Sequence, residues 1–268
     1  MQISLGGLMT SHASTLQDIH FSSHIPQSSI TAGLARRAPA WLKSLGMLLL
    51  FAGSPAAWAS GMLPETSVVI INEADGESTM NVKNTDPAAT LLHTSIQHLP
   101  EDKEPLVVVS PPVARVEPDQ TQLVRFILQL KEPLKTQRLK RVVFEGIPQR
   151  NADGGVKVTM NVRQNLPLII HPKNLAANRE PWKLLKWAIS GDHLVMHNDS
   201  AYVVRFAQAV SLLPSRVDVD MGRTYILPGE KLSGQIKDGA AGATTVRMSP
   251  ATVYGFSVDN FDAPLGKS

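Results

Sequence analysis

The stretch from Gly155 to Pro172, GVKVTMNVRQNLPLIIHP, places two hydrophobic patterns back to back. From Val156 to Val162 the apolar residues Val156, Val158, Met160 and Val162 alternate with Lys157, Thr159 and Asn161. Successive side chains of a strand point to opposite faces, so this period of two predicts a half-buried β-strand. From Leu166 to Ile170 the alternation gives way to the continuous run LPLII. Its proline has no N–H for a ladder bond and belongs at a sheet edge or a bend. The pattern predicts a strand beside an open edge. Such an edge is an aggregation hazard unless another chain is meant to pair with it.

The remainder of the chain fits a β protein. Aromatics are few, Val, Leu and Ile are plentiful, and Pro and Gly recur at short intervals, which favours many short strands over long helices. An all-β fold is expected, and 268 residues suffice for two domains of ordinary size. The net charge is +3 and no Lys/Arg run is interleaved with aromatics, which argues against a nucleic-acid partner. Cysteine is absent, so a disulfide framework, a thiolate metal site and a cysteine nucleophile are excluded.

Residues 1–34 are rich in Ser, Thr and His with no sustained period, and read as disordered or as the product of a start codon placed too far upstream. Arg36, Arg37 and Lys43 follow, then the apolar run LGMLLLFAG, then Ala57-Trp58-Ala59. Basic, apolar and small residues in that order make a secretory signal peptide, with cleavage expected after Ala59. The apolar run falls short of the roughly 20 residues a spanning helix needs, so no membrane insertion of the mature protein is expected. Arg36-Arg37 raises twin-arginine export, but the flanking residues fit that signal poorly.

The mature chain then offers short strands with turn signals between them. They are expected at Val68 to Ile71, Thr79 to Val82, Thr90 to Gln97, Leu106 to Val109, Val113 to Val116, Gln122 to Leu130 and Lys140 to Glu145. With the strand from Val156 to Ile170 these make a sandwich. HPKNLAANREPWK mixes Pro, Asn and charge and reads as a hinge. A second β series runs from Trp182 to about Phe261: LLKWAISG, HLVMHN, YVVRFAQAVSLL, TYILPGEKLSG, TTVRMS and TVYGFSVDNF. The expected layout is an N-terminal extension and signal peptide over 1–59, a first sandwich over 60–172, a hinge over 173–181, a second sandwich over 182–262 and a loose tail over 263–268.

The string SPPVARVEPDQTQLVRF (Ser110 to Phe126), then FEGIPQ (Phe144 to Gln149) and VRQNLPLIIHP, resembles the periplasmic pilus chaperones of chaperone–usher systems, the PapD-like family. Pro111-Pro112, Arg115, Glu117-Pro118 and Arg125 look like that family's paired prolines, an Arg, a Pro and a strand with a second Arg. Pro148 and Pro172 close its other two motifs. The resemblance spans the mature chain and is more specific in its first half. It implies two immunoglobulin-like β-sandwiches at an angle. It also implies a non-enzymatic periplasmic chaperone, without cofactor, whose partners are pilin or fimbrial subunits and an outer-membrane usher. In such proteins the last strand of the first domain completes a subunit that lacks its own last strand. Here the donated side chains would be Val158, Met160 and Val162, with Val156 as an addition. The exposed strand also predicts a self-capping homodimer of the free protein.

Two departures from the family stand out. Members anchor the subunit's C-terminal carboxylate with an Arg on the first strand and a Lys on the donor strand, and alignment puts Ser67 and Pro167 there. Neither can donate a charge-assisted bond. Arg163, on the same strand face as Pro167 and about 13 Å from it at about 3.3 Å per residue, is the nearest replacement. The family's acid–Arg–acid network between domains falls on Gln137, His171 and Asn260, with Asp259 one residue off. A neutral network, or one rebuilt by Asp259 and His171, is expected.

An enzyme is the first rival reading. His193 and His197 are four apart on a strand, too far to share a metal, and no nucleophile elbow, phosphate loop or HExxH motif is present. The second is a secreted two-domain sandwich that acts as an adhesin or structural pilus component. The paired-proline, EGIP and donor-strand motifs favour the chaperone.

Overall fold

The structure, a computed structural model, describes residues 61–148, 162–237, 242–252 and 258–266. Alternation of buried and exposed residues builds a first sandwich from β1 (Met62–Pro64), β2 (Val69–Asn72), β3 (Glu77–Asn84), β4 (Thr90–Gln97), β5 (Val107–Ser110), β6 (Val113–Val116), β7 (Thr121–Leu128), β8 (Arg138–Pro148) and β9 (Arg163–His171). One sheet has the order β1-β3-β7-β5, the other β2-β9-β8-β4-β6. Between β1 and β2 the chain changes sheets: β1 runs antiparallel to β3, whereas β2 runs parallel to β9.

The core follows the period of two. On β8, Val142 and Phe144 turn inward, meeting Met80, Val82, Val124 and Phe126 from the opposite sheet and Leu168 and Ile170 from β9. Phe126 and Phe144 meet edge to face with centroids 6.3 Å apart, the arrangement the ring quadrupoles favour.

The second sandwich comprises β10 (Lys186–Ser190), β11 (His193–His197), β12 (Val204–Phe206), β13 (Ala209–Leu213), β14 (Val217–Asp220), β15 (Tyr225–Ile226), β16 (Lys231–Gln235), β17 (Thr245–Met248), β18 (Pro250–Ala251) and β19 (Phe261–Pro264). They form sheets of order β10-β11-β16, β15-β12-β18 and β14-β13-β17-β19 around Trp187, Leu194, Met196, Leu212, Val219 and Val246. Among the described residues each sandwich holds one buried asparagine with its amide satisfied. Asn84 donates to the carbonyls of Val116 and Ala88, and Asn198 to those of Tyr202 and Leu227.

The all-β architecture matches expectation, with local differences. β1 was not expected, because the sequence around it, GMLPETS, shows no sustained alternation. The second series opens with a 3₁₀ turn, Pro181–Leu184, and YVVRFAQAVSLL divides into β12 and β13. The two belong to different sheets, so the chain has to turn at Ala207–Gln208. Among the described residues no helix is long and apolar enough to cross a membrane.

Candidate functional site: an open strand edge and the cleft beside it

β9 pairs with β8 along its length, from Arg163 opposite Glu145 to Ile170 opposite Arg138. On its other side β2 accompanies it only from Leu168 to His171. From Arg163 to Pro167 that side of β9 has no partner strand among the described residues. Pro167, with no N–H to give, is the last residue before β2 begins. The edge lies where the proline predicted it.

Leu166, Leu168 and Ile170 face the core, and Val162 has the same parity. A Cβ placed on Gly61 would lie 3.5 Å from the Val162 Cβ, so this valine sits beside the start of β1, and it is 39% exposed. Val156, Val158 and Met160 lie outside the described residues. Arg163 is exposed, and its Nε stands 3.6 Å from the Glu145 carboxylate. At the same end of the sheet, Leu91, Val113 and Ile147 form an exposed apolar group: Leu91 is opposite Ile147, and Val113 is opposite the next outward residue of β4, His93.

The other motif residues shape turns and sheet surface. Pro111 follows a cis peptide and the Pro112 carbonyl accepts the Thr94 N–H at 2.8 Å, joining the β5–β6 corner to β4. Arg115 pairs with Glu117 and Arg125 with Glu77, both exposed. Pro118 precedes Asp119, which adopts a left-handed φ of 58° in the turn before β7. Pro148 ends β8 opposite Thr90, and the carbonyl of Pro172, just past β9, accepts the Leu175 N–H.

Between the sandwiches, Leu139 and Ile169 of the first pack on Val203 of the second, with Tyr225 and Leu227 alongside. Above this apolar floor lies a neutral relay. His171 Nε2 is 2.9 Å from the Leu175 carbonyl, which can only accept, so the hydrogen sits on Nε2. Nδ1 then accepts from the Gln137 amide at 2.9 Å, and the Gln137 carbonyl oxygen accepts the Val203 N–H at 2.9 Å. Of the two expected forms, the neutral one is found. Asn260 takes no part, since it accepts the Ser249 hydroxyl instead, and Asp259 is exposed.

Sequence reasoning missed the charges around this relay. In the turn between Leu99 and Glu104, Glu101 binds Arg223 and the Tyr225 hydroxyl of the second sandwich, and Arg223 also binds Glu230 and covers the Tyr225 ring. Its neighbour Asp102 turns the other way, to Arg138 and to Lys140, which is fully buried. Burial pushes the Asp102 carboxyl up, but the bonds and charges of Arg138 and Lys140 outweigh it and hold it at about 2. No group of three or more His, Asp or Glu that could hold a metal stands together among the described residues. His193 and His197 each pair with an aspartate, Asp192 and Asp199.

Two sandwiches meet over an apolar floor, and beside it β9 has a stretch without a partner strand among the described residues. Two family profiles cover nearly all of the described chain. The one described as "Pili and flagellar-assembly chaperone, PapD N-terminal domain" matches residues 61–176, and "Pili assembly chaperone PapD, C-terminal domain" matches 180–261. The chain belongs to the PapD-like pilus-assembly chaperones, a family of chaperones and not of enzymes. A protein of Escherichia coli (strain K12) described as "Uncharacterized fimbrial chaperone YhcA" is 41% identical over 208 residues, 77% of this chain and 92% of that protein. Among solved structures, a chain of the Salmonella enterica SafA pilin–SafB chaperone complex superposes with a TM-score of 0.64 at 19% identity, covering 78% of this chain and 99% of that one. The E. coli chaperone DraB gives 0.64 at 21% identity over 77% and 99%. These structures share the fold.

Proposed function

We propose that this chain is a periplasmic chaperone that holds a fimbrial subunit by lending it a strand and delivers it to an outer-membrane usher. One observation carries the reading: the unpaired edge of β9 from Arg163 to Pro167, in line with the alternating residues Val156, Val158, Met160 and Val162. Val162 has the parity of the core set of β9 and lies beside the start of β1. A strand continued through Met160 and Val158 keeps that parity beyond the chaperone's own core, where an incomplete subunit would receive the side chains. Main-chain bonds supply the pairing and the alternate side chains fill the groove. Each such side chain, fully buried, contributes about 1.5–3 kcal/mol before ordering costs. The exposed Leu91, Val113 and Ile147 extend the apolar surface at the same end. The relative described as a fimbrial chaperone and the neighbour solved with a pilin support the choice of partner.

Export through the segment ending at Ala59 places the mature chain where subunits emerge. No step calls for a cofactor or catalysis. In the free protein the same edge is available to a second copy; a strict monomer in sedimentation at high concentration would remove that dimer.

The test is co-purification from periplasm of a fimbrial subunit encoded in the same gene cluster. Wild type is expected to retain it, and a Met160→Glu, Val162→Glu variant that still folds is expected to lose it, because an unpaired charge in an apolar groove is costly. Equal retention by the two would end the strand-donation reading.

A further inference from the structure

The bond between the sandwiches at His171 has no place for an added proton. His171 follows Ile169 of the apolar floor by two residues and so shares its face of β9. Both ring nitrogens are engaged: Nε2–H donates to the Leu175 carbonyl, and Nδ1 accepts from the Gln137 amide nitrogen. Gln137 is 5% exposed and its orientation is fixed, nitrogen toward the ring and oxygen toward the Val203 N–H of the second sandwich. Its own N–H goes to the Ala201 carbonyl at 2.8 Å, so the main chain and side chain of one residue grip the segment that leads into β12.

A second hydrogen on the ring breaks this chain whichever way the groups turn. With both nitrogens donating, Nδ1–H meets the Gln137 NH2 group, donor against donor. Rotating the amide by half a turn offers its oxygen to Nδ1–H, but it then turns NH2 toward the Val203 N–H, which is left in the interface without an acceptor. Turning the imidazole changes nothing, because each of its nitrogens now carries hydrogen. One bond is lost in every arrangement, and a buried donor left unmet is the expensive side of a broken hydrogen bond.

Among the described residues no carboxylate is bonded to this ring. On the β2 side, Glu73 accepts the Leu134 and Lys173 N–H groups, and Asp75 accepts the Asn72 amide. From β8, Arg138 and Lys140 are bound to Asp102. Lys173, just past β9, is exposed. From the second sandwich, Tyr202 donates to the Ala176 carbonyl and Tyr225 to Glu101, which Arg223 also holds. His193 and His197, in contrast, each have an aspartate at the ring. Histidine is the side chain whose ordinary change of charge falls between about pH 5 and 8.

We infer that the His171–Gln137 relay is a proton-operated latch between the sandwiches, closed while the imidazole is neutral and opened at its Val203 end when mild acid charges it. A network of carboxylates and arginine keeps its charges over that range and would not respond. The latch belongs to the joint between the sandwiches and does not depend on strand donation.

The test uses the full mature chain in solution NMR. Protonation of His171 is followed by its imidazole Cε1 shift between about pH 7.5 and 5, and the hydrogen-exchange protection factor of the Val203 amide, corrected for the intrinsic pH dependence of exchange, is read over the same range. Wild type is expected to lose roughly tenfold in protection at Val203 in step with the ring, while Phe144 and Val246 in the two cores keep theirs. His171→Gln, which takes up no proton, should show no such step. Gln137→Glu offers one oxygen to the imidazolium and the other to the Val203 N–H, and should keep its protection down to about pH 5.5. The latch is refuted if His171 becomes charged without change at Val203, or if the ring stays neutral to about pH 5. It is equally refuted if His171→Gln or Gln137→Glu loses protection as wild type does, or if the core amides fall together with Val203, which would make the loss global unfolding.

Discussion

Asp102 accepts Arg138 Nε at 2.7 Å and Lys140 Nζ at 2.7 Å, and its own backbone carbonyl takes a second Lys140 bond at 2.8 Å. A fully buried ammonium is tolerable only with such a partner. Asp102→Asn is expected to destabilise the fold by about 3–5 kcal/mol in urea titration. A variant that unfolds with wild type would mean that Lys140 finds another anion. The acid limb should change too. With the folded carboxyl held at about 2 and an unfolded aspartate near 3.9, the folded state binds this proton less well. The stabilisation is complete above about pH 4 and is lost as pH falls toward 2; Asp102→Asn should remove that stretch of the pH–stability curve. Half of this arrangement was legible. Lys140 is in phase with Val142 and Phe144, so the period of two already places it inside the sandwich. Its partner, 38 residues away in a loop, leaves no local pattern to read.

At the level of elements, strands were legible where the pattern was long and one face was buried. β4 falls on the expected residues, Thr90–Gln97, and β3, Glu77–Asn84, encloses the expected Thr79 to Val82. Those that escaped, β1, β14 and the divisions of β12 from β13 and of β15 from β16, are decided by which sheet a short segment joins, a tertiary choice that two to five residues do not encode. One close approach in the second sandwich depends on a missing side chain. A Cβ at Gly234 of β16 would stand 2.5 Å from the Asp220 carbonyl oxygen and 2.6 Å from Val219 Cγ1 of β14. The nearest atom is backbone and cannot swing aside, so Gly234→Ala should cost about 1–3 kcal/mol and lower the melting temperature measured by calorimetry. An unchanged melt would show that β14 and β16 separate without penalty.

In the molecule as a whole, the candidate site was legible as a segment but not as a place. The alternating run and Pro167 announced a strand with an open side, whereas the cleft that ends it is assembled from β8, β9, β12 and β15, distant in sequence. The bond between the sandwiches is mixed: an apolar floor, the Gln137–His171 relay and the Glu101–Arg223 pair. Gln137→Ala strips the buried Val203 N–H of its acceptor and should cost about 1–3 kcal/mol. Combined with Glu101→Ala it is expected to split one calorimetric transition into two, and a transition that stays single would assign the coupling to the apolar floor alone. The adjacent residues Glu101 and Asp102 reach into different sandwiches from one turn. One peptide unit thus acts as the pivot of a caliper, whose jaws are the two sandwiches and whose opening it sets together with the apolar floor and the Gln137–His171 relay.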